Sequence, residues 1–176
     1  MKENSTEIVF VVDRSGSKEN IAADMRGGFN AFIAEQKKAP GECNVTLVRF
    51  DSEHELVYSA LPLEKVPPLE LVPRGGTALN DAVGMAIAKT GERLAAMPED
   101  KRPAKVVFVV ITDGEENSSR EYKTPAIKAM IEHQRSKYNW DFVYLGADEN
   151  SFAAADAIGI VSNKVKYAAN SLGVAG

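Results

Sequence analysis

The strongest indication of the fold is an apolar run followed by a polar segment: Ile8-Val9-Phe10-Val11-Val12, then Asp13-Arg14-Ser15-Gly16-Ser17. The uncharged, β-branched run 8–12 predicts a strand that is buried on both faces of a parallel sheet. Asp13, Ser15 and Ser17 follow at every second position, so their side chains point the same way in an extended backbone. Their oxygen atoms suit Mg²⁺ or a similar cation. The same residue types are also typical of a turn and a helix N-cap, and this segment alone favours that simpler interpretation.

Length and composition indicate one ordinary globular unit. The chain has 176 residues, of which 44% are hydrophobic and 26% are charged. This length is enough for a single domain, 1–176, with a full core over about residues 6–168. The last residues, 169–176, carry no pattern, and we expect them to be mobile.

Charge and polarity exclude several classes of function. A net charge of −4 disfavours binding to nucleic acid, which needs a basic face. No apolar run is long enough for a membrane span. The polar start of the chain is unlike a signal peptide, and the single Cys43 fits a reducing compartment. We therefore expect a cytoplasmic protein, and we expect it to be a monomer.

Apolar periodicity predicts strands that alternate with helices. The predicted strands cover 8–12, 43–50, 55–61, 104–112, 140–146 and 165–168, and the predicted helices cover 18–38, 78–97, 124–138 and 151–158. The connection 51–54 is too short for a parallel crossover, so strands 43–50 and 55–61 must form an antiparallel hairpin. The expected fold is α/β: a three-layer, doubly wound (Rossmann-like), mostly parallel six-stranded sheet with one antiparallel edge strand.

Three loops of this predicted fold carry oxygen ligands to one edge of the sheet. The two most apolar strands, 8–12 and 105–111, should be central neighbours, and Asp13 and Asp113 follow their carboxyl ends. Thr77 follows Gly75-Gly76 and precedes a helix, which places it at the same edge. In doubly wound sheets, ligands bind beyond the carboxyl ends of the strands.

The full set of residues resembles the von Willebrand factor A domain. Asp13-x-Ser15-x-Ser17, Thr77 after two glycines, and Asp113-Gly114 after a strand match the metal-ion-dependent adhesion site of that family, in order and in context. The resemblance covers about residues 6–168. It implies a site for Mg²⁺ or Mn²⁺, with Ca²⁺ as a further option, held by Asp13, Ser15, Ser17, Thr77 and Asp113.

The resemblance also implies a binding function without catalysis. In similar domains an open metal position accepts a Glu or Asp carboxylate from a protein partner. Related cytoplasmic prokaryotic domains assist larger assemblies, including AAA+ ATPases, whereas extracellular relatives mediate adhesion. The polar start of this chain favours the cytoplasmic group.

Other interpretations of these residues stay open. Ser17 and Thr77 are each common as helix N-caps, and Asp113-Gly114 is a common turn. A Mg²⁺-dependent phosphohydrolase on a doubly wound sheet is the alternative function, with Asp13 as its nucleophile, although the chain lacks the second acid of an Asp-x-Asp pattern. A metal-free structural domain would require the oxygen cluster to be accidental. We also expect Arg14, His54 and His133 to be exposed and Trp140 to lie in the core.

Overall fold

The structure is a computed structural model that describes residues 2–14, 19–38, 41–51, 53–70, 78–112, 119–146, 152–160 and 164–166. Its strands are β1 (Lys2–Asp13), β2 (Glu42–Phe50), β3 (His54–Pro62), β4 (Pro103–Thr112), β5 (Asp141–Gly146) and β6 (Lys164–Lys166). Its α-helices are α1 (Glu19–Gln36), α2 (Leu79–Ala96), α3 (Thr124–Tyr138) and α4 (Phe152–Ala157). Two short 3-10 turns, Leu63–Lys65 and Glu99–Lys101, lie outside the predicted elements.

The strands form one mixed sheet in the order β3-β2-β1-β4-β5-β6. The five longer strands are mostly parallel with one antiparallel pair, and the short β6 extends the sheet beside β5. Strand β1 pairs in parallel with both β2 and β4, so the two most apolar strands are the central neighbours that the sequence predicts. The antiparallel pairing of β2 with β3 confirms the predicted hairpin.

Helices cover both faces of this sheet. The odd-numbered residues Val9 and Val11 of β1 belong to a buried cluster with side chains of α2, α3 and α4. Ile8, Phe10 and Val12 of β1 belong to a second buried cluster, with side chains of α1 and of the segment after β3. This alternation follows from the period of two along a strand, and it produces the three layers expected for a doubly wound fold.

Most of the predicted interior is buried. Trp140 is 5% exposed, as expected, while His54 and His133 are exposed. Met97, the last residue of the predicted helix 78–97, is partly buried and lies just beyond the last helical turn. In the described part of the chain, no helix is both long and apolar enough to cross a bilayer.

The parallel pairing brings several strand ends to one edge of the sheet. Asp13 is the last residue of β1, Thr112 is the last residue of β4, and Asp51 directly follows β2. In the register of the sheet, Asp13 lies opposite Phe50, and Val12 lies opposite Ile111. The carboxyl edge is therefore where polar side chains follow the apolar strands.

Candidate metal centre

Asp13 is a fully buried carboxylate at the carboxyl end of β1. The hydroxyl of Thr112, at the end of the neighbouring β4, donates a hydrogen bond of 2.5 Å to Asp13 Oδ2. Thr112 is itself fully buried. Burying a carboxylate is costly unless hydrogen bonds or a cation compensate it, so a buried acid at this edge indicates a specific role.

Of the five predicted metal ligands, the structure describes Asp13. Ser15, Ser17, Thr77 and Asp113 lie outside the described residues. Within the part of the chain that is described, no group of three or more His, Cys, Asp or Glu residues is placed to hold a metal ion. The five-residue site thus stays a prediction. The structure describes residues next to these ligands in the chain, and their contacts are given below.

Asp51 joins the borders of the first two predicted metal segments. Arg14, next to Asp13, donates from Nε to Asp51 Oδ2 at 3.0 Å, and its backbone N–H donates to the carbonyl of Phe50 at 2.7 Å. Ala78, next to Thr77, donates its N–H to the carbonyl of Asp51 at 2.8 Å. One residue after β2 therefore holds both chain segments at the same edge.

The structure corrects the expectation that Arg14 is an ordinary exposed residue. Its side chain is 11% exposed, and Nη1 donates to Glu55 at 3.1 Å in addition to the bond with Asp51. Arg49 binds the same Glu55 oxygen at 2.7 Å. The hydrogen bond and charge of Arg49, and then those of Arg14, hold the pKa of Glu55 below its usual value. The guanidinium of Arg14 thus forms ion pairs with two carboxylates of the same chain, Asp51 and Glu55.

Asp81 in the first turn of α2 binds the segment that follows the third predicted metal loop. Its carboxylate accepts backbone N–H groups from Arg120 at 2.7 Å and from Glu121 and Tyr122 at 2.9 Å each. Its own N–H donates to Ser119 Oγ at 2.9 Å. Burial alone would raise the pKa of Asp81, but these hydrogen bonds outweigh it and lower the pKa below its usual value.

The start of α2 concerns the alternative interpretation of Thr77 as a helix N-cap. The helix begins at Leu79, and its N-cap is Ala78, which makes no side-chain capping bond. Thr77 itself lies outside the described residues, so both interpretations of it stay predictions.

Sequence reasoning missed the roles of Asp51 and Asp81. Asp51 carried a usable signal, because it follows an apolar strand at the same edge as Asp13. Asp81 carried none that was specific, because acidic residues are common in the first turn of any helix. Arg14 lies 37 positions from Asp51, and the three N–H groups bound by the Asp81 carboxylate lie 39 to 41 positions from it, beyond the reach of local patterns.

These features define a class: a doubly wound α/β domain whose candidate site lies at the carboxyl edge of its sheet. The chain belongs to the von Willebrand factor type A domain family, whose model matches residues 7–170. Domains of this family are generally adhesion or protein-binding modules, are usually non-catalytic, and often bind a divalent metal.

Many solved structures share the fold, and two of them serve as examples. Proximal thread matrix protein 1 from the mussel byssus is 17% identical, with a TM-score of 0.61 over 97% of this chain and 45% of that one. The D319A mutant of the PilB minor pilin from Streptococcus sanguinis is 13% identical, with a TM-score of 0.64 over 97% of this chain and 59% of that one. The chain therefore spans roughly half the length of these structures. By sequence, it matches none of the curated proteins with which it was compared.

Proposed function

We propose that this chain is a divalent-metal-dependent protein-binding module. Asp13, Ser15, Ser17, Thr77 and Asp113 would hold Mg²⁺ or Mn²⁺, with Ca²⁺ as a further option, and a Glu or Asp of a protein partner would complete the site. The observation that carries the proposal is the buried Asp13 carboxylate at the carboxyl edge, bonded to Thr112, the residue just before Asp113.

The donor set fits a hard cation that keeps one position for a partner. Two carboxylates and three hydroxyls supply oxygen atoms only, which Mg²⁺ and Mn²⁺ prefer. Two negative charges leave the dication more electrophilic than three or four would. An anionic oxygen from a partner is then a favourable further ligand, and the octahedral preference of Mg²⁺ makes that contact directional.

The bonds of Asp51 and Asp81 support the proposal, because they involve described residues that flank the proposed ligands in the chain. Asp51 connects the residues bordering Asp13 and Thr77, and Asp81 connects the first turn of α2 with residues 119–122. These connections fix the ends of the segments that bear the proposed ligands. A segment whose ends are held in place loses less conformational entropy when a ligand binds to it.

The setting of the protein is a further part of the proposal. On the resemblance to cytoplasmic prokaryotic relatives, we place the module in the cytoplasm, as a monomer that docks on a larger assembly such as an AAA+ ATPase. A metal-dependent pull-down tests this directly. A partner retained in Mg²⁺ and released by EDTA would be identified by mass spectrometry. Retention that EDTA does not change would contradict a metal-bridged contact.

The alternative, a Mg²⁺-dependent phosphohydrolase, has weaker support. Phosphoryl transfer needs a cation directed at the transferred group. The described cation nearest in sequence to Asp13 is Arg14, and Asp51 and Glu55 engage its guanidinium. Turnover of a phosphate monoester that Asp13→Asn abolishes would favour the enzyme over the binding module.

Thermal unfolding with and without metal tests the proposed site. Mg²⁺ at about a hundred times its Kd should raise the Tm of the native protein by roughly 5–10 °C, because it binds the folded state only. Ser15→Ala/Ser17→Ala should remove this rise. Ser136→Ala is the matched control, since it deletes an exposed hydroxyl on α3 that donates to the carbonyl of Glu132 in the same helix. An unchanged Tm for the native protein at millimolar Mg²⁺ and Mn²⁺ would contradict the site.

A further inference from the structure

A cavity of about 320 Å³ lies at the amino edge of the sheet, between α2, α3 and the start of β4. Leu94 of α2 and Val106 of β4 contribute apolar walls, and Trp140 and Tyr138 contribute aromatic ones. Trp140 is 5% exposed, whereas Tyr138 is 50% exposed and stands at the surface. The volume and the aromatic lining are those of a small-molecule site.

The position of this cavity separates it from the candidate metal centre. It is lined by Pro103 and Ala104 at the beginning of β4, whereas Thr112 at the other end contacts Asp13. The extended strand advances by eight positions from Ala104 to Thr112, which corresponds to roughly 26 Å. The cavity and the metal centre therefore lie at opposite edges of the sheet.

Gly91 keeps the space beside this cavity open. It lies inside α2 and lines both the cavity and an adjoining groove of about 370 Å³ between α2 and α3. A Cβ atom built on Gly91 meets nothing within 4 Å. Glycine weakens a helix interior, and no close contact requires it here, so the absence of a side chain has the effect of leaving the groove unfilled.

The charge of the lining indicates what the cavity accepts. Among the described residues that line it, Arg102 is the one with a permanent charge, and none is a carboxylate. Arg102 donates from Nε to the carbonyl of Met97 and from Nη2 to the carbonyl of Ala95, at 3.1 Å each. These bonds to the end of α2 orient the guanidinium without a full neutralising charge. An apolar cavity with a fixed cation is complementary to an apolar anion.

We propose that this cavity binds a small planar aromatic molecule with one anionic group. The ring packs against Trp140 and Tyr138, and the anion pairs with Arg102. A ring between aromatic walls gains contact area at little entropic cost, and a carboxylate matches the planar guanidinium. This ligand site is independent of the metal centre.

Trp140 gives the test a direct readout, because it is the single tryptophan of the chain. Its one indole N–H cross-peak in a ¹H–¹⁵N spectrum is followed during titration with 2-naphthoate, and separately with the uncharged 2-naphthalenemethanol. For a ligand of this size we expect a saturable shift with a Kd on the order of 1 mM or tighter. The alcohol should bind about tenfold more weakly, because it cannot form the charged pair with Arg102.

Two variants locate the site. Gly91→Leu should fill the groove and weaken naphthoate binding at least about tenfold, and because its Cβ has free space the fold should be retained. Gly27→Leu is the matched control, since Gly27 also lies inside an exposed helix face with nothing within 4 Å of its Cβ, but away from the cavity. Arg102→Met should remove the preference for naphthoate over the alcohol.

Each contrary outcome overturns the proposal. A cross-peak that does not move with either compound means that the cavity takes no such ligand. Equal binding by the Gly91→Leu variant would show that the ligand binds elsewhere. Equal affinity for the acid and the alcohol would show that the ligand's anionic group forms no pair with Arg102. Sedimentation of the same samples examines another occupant: a dimer that Gly91→Leu dissociates would assign the groove to a second copy of the chain.

Discussion

The carboxylate of Asp81 stabilises the fold through three backbone N–H groups. It is 8% exposed, so these charge-assisted bonds are shielded from water. Asp81→Asn replaces one accepting oxygen with an NH₂ group that faces backbone donors. We expect the free energy of unfolding to fall by about 2–4 kcal/mol in urea titrations. Asp100→Asn, which removes the same charge from an exposed position, should change it by about 0.5 kcal/mol or less.

The contribution of Asp81 should also depend on pH. Its pKa in the folded protein is below the ordinary value of 3.8. A carboxyl whose pKa is lowered on folding stabilises the protein above the unfolded-state pKa, and this stabilisation is lost as pH falls through the folded-state pKa. The difference in unfolding free energy between the native protein and Asp81→Asn should therefore be constant above about pH 5 and shrink below pH 3.8. A difference that grows on acidification would contradict the assigned bonds.

Cys43 should be an unreactive thiol. Burial, and then the charges of Glu64 and Glu7, raise its pKa to about 11. Only the thiolate is nucleophilic, so alkylation by iodoacetamide at pH 8 should be at least about 100-fold slower than that of glutathione. Labelling followed by mass spectrometry measures this rate. A rate equal to that of glutathione would show that the thiol is exposed and unperturbed.

Within the helices, we expect opposite effects of a glycine-to-alanine substitution at two positions. A Cβ atom on Gly27 of α1 meets nothing within 4 Å, whereas one on Gly84 of α2 would lie 2.7 Å from the Tyr122 ring. Gly27→Ala should raise the free energy of unfolding by about 0.5–1 kcal/mol. Gly84→Ala should lower it by about 1–3 kcal/mol, because the ring must move. Thermal unfolding of the two variants measures their stability relative to the native protein. Stabilisation by Gly84→Ala would contradict the packing of Tyr122 on α2.

The sequence predicts the elements well where apolar runs are long. The span of α3 matches its predicted range, 124–138, because apolar residues recur at helical spacing and Asn139 ends the helix in the left-handed conformation. Strand β1 extends from Lys2 rather than from Ile8, since its polar first half is held by pairing with β2 and β4 instead of by an apolar pattern. Helix α1 is continuous through its two adjacent glycines, of which Gly27 is exposed and Gly28 is buried.

At the scale of the whole molecule, strand order and the functional edge follow from simple rules. Alternating elements, one short hairpin and right-handed crossovers place β1 and β4 side by side, so Asp13 and Thr112 meet. The network of Arg14, Asp51 and Asp81 could not be predicted in this way. Asp51 binds the side chain of Arg14, and Asp81 binds distant backbone N–H groups. Both sets of bonds depend on loop geometry rather than on local periodicity.

We propose one divalent metal ion at the carboxyl edge of this sheet. Calorimetric titration with Mn²⁺ tests it most directly, on the native protein, on Ser15→Ala/Ser17→Ala and on the Ser136→Ala control. We predict one saturable site per chain for the native protein and the control, and none for the double variant. Mn²⁺ binding that the double variant retains, or no binding by the native protein at millimolar Mn²⁺, would contradict the proposed metal site.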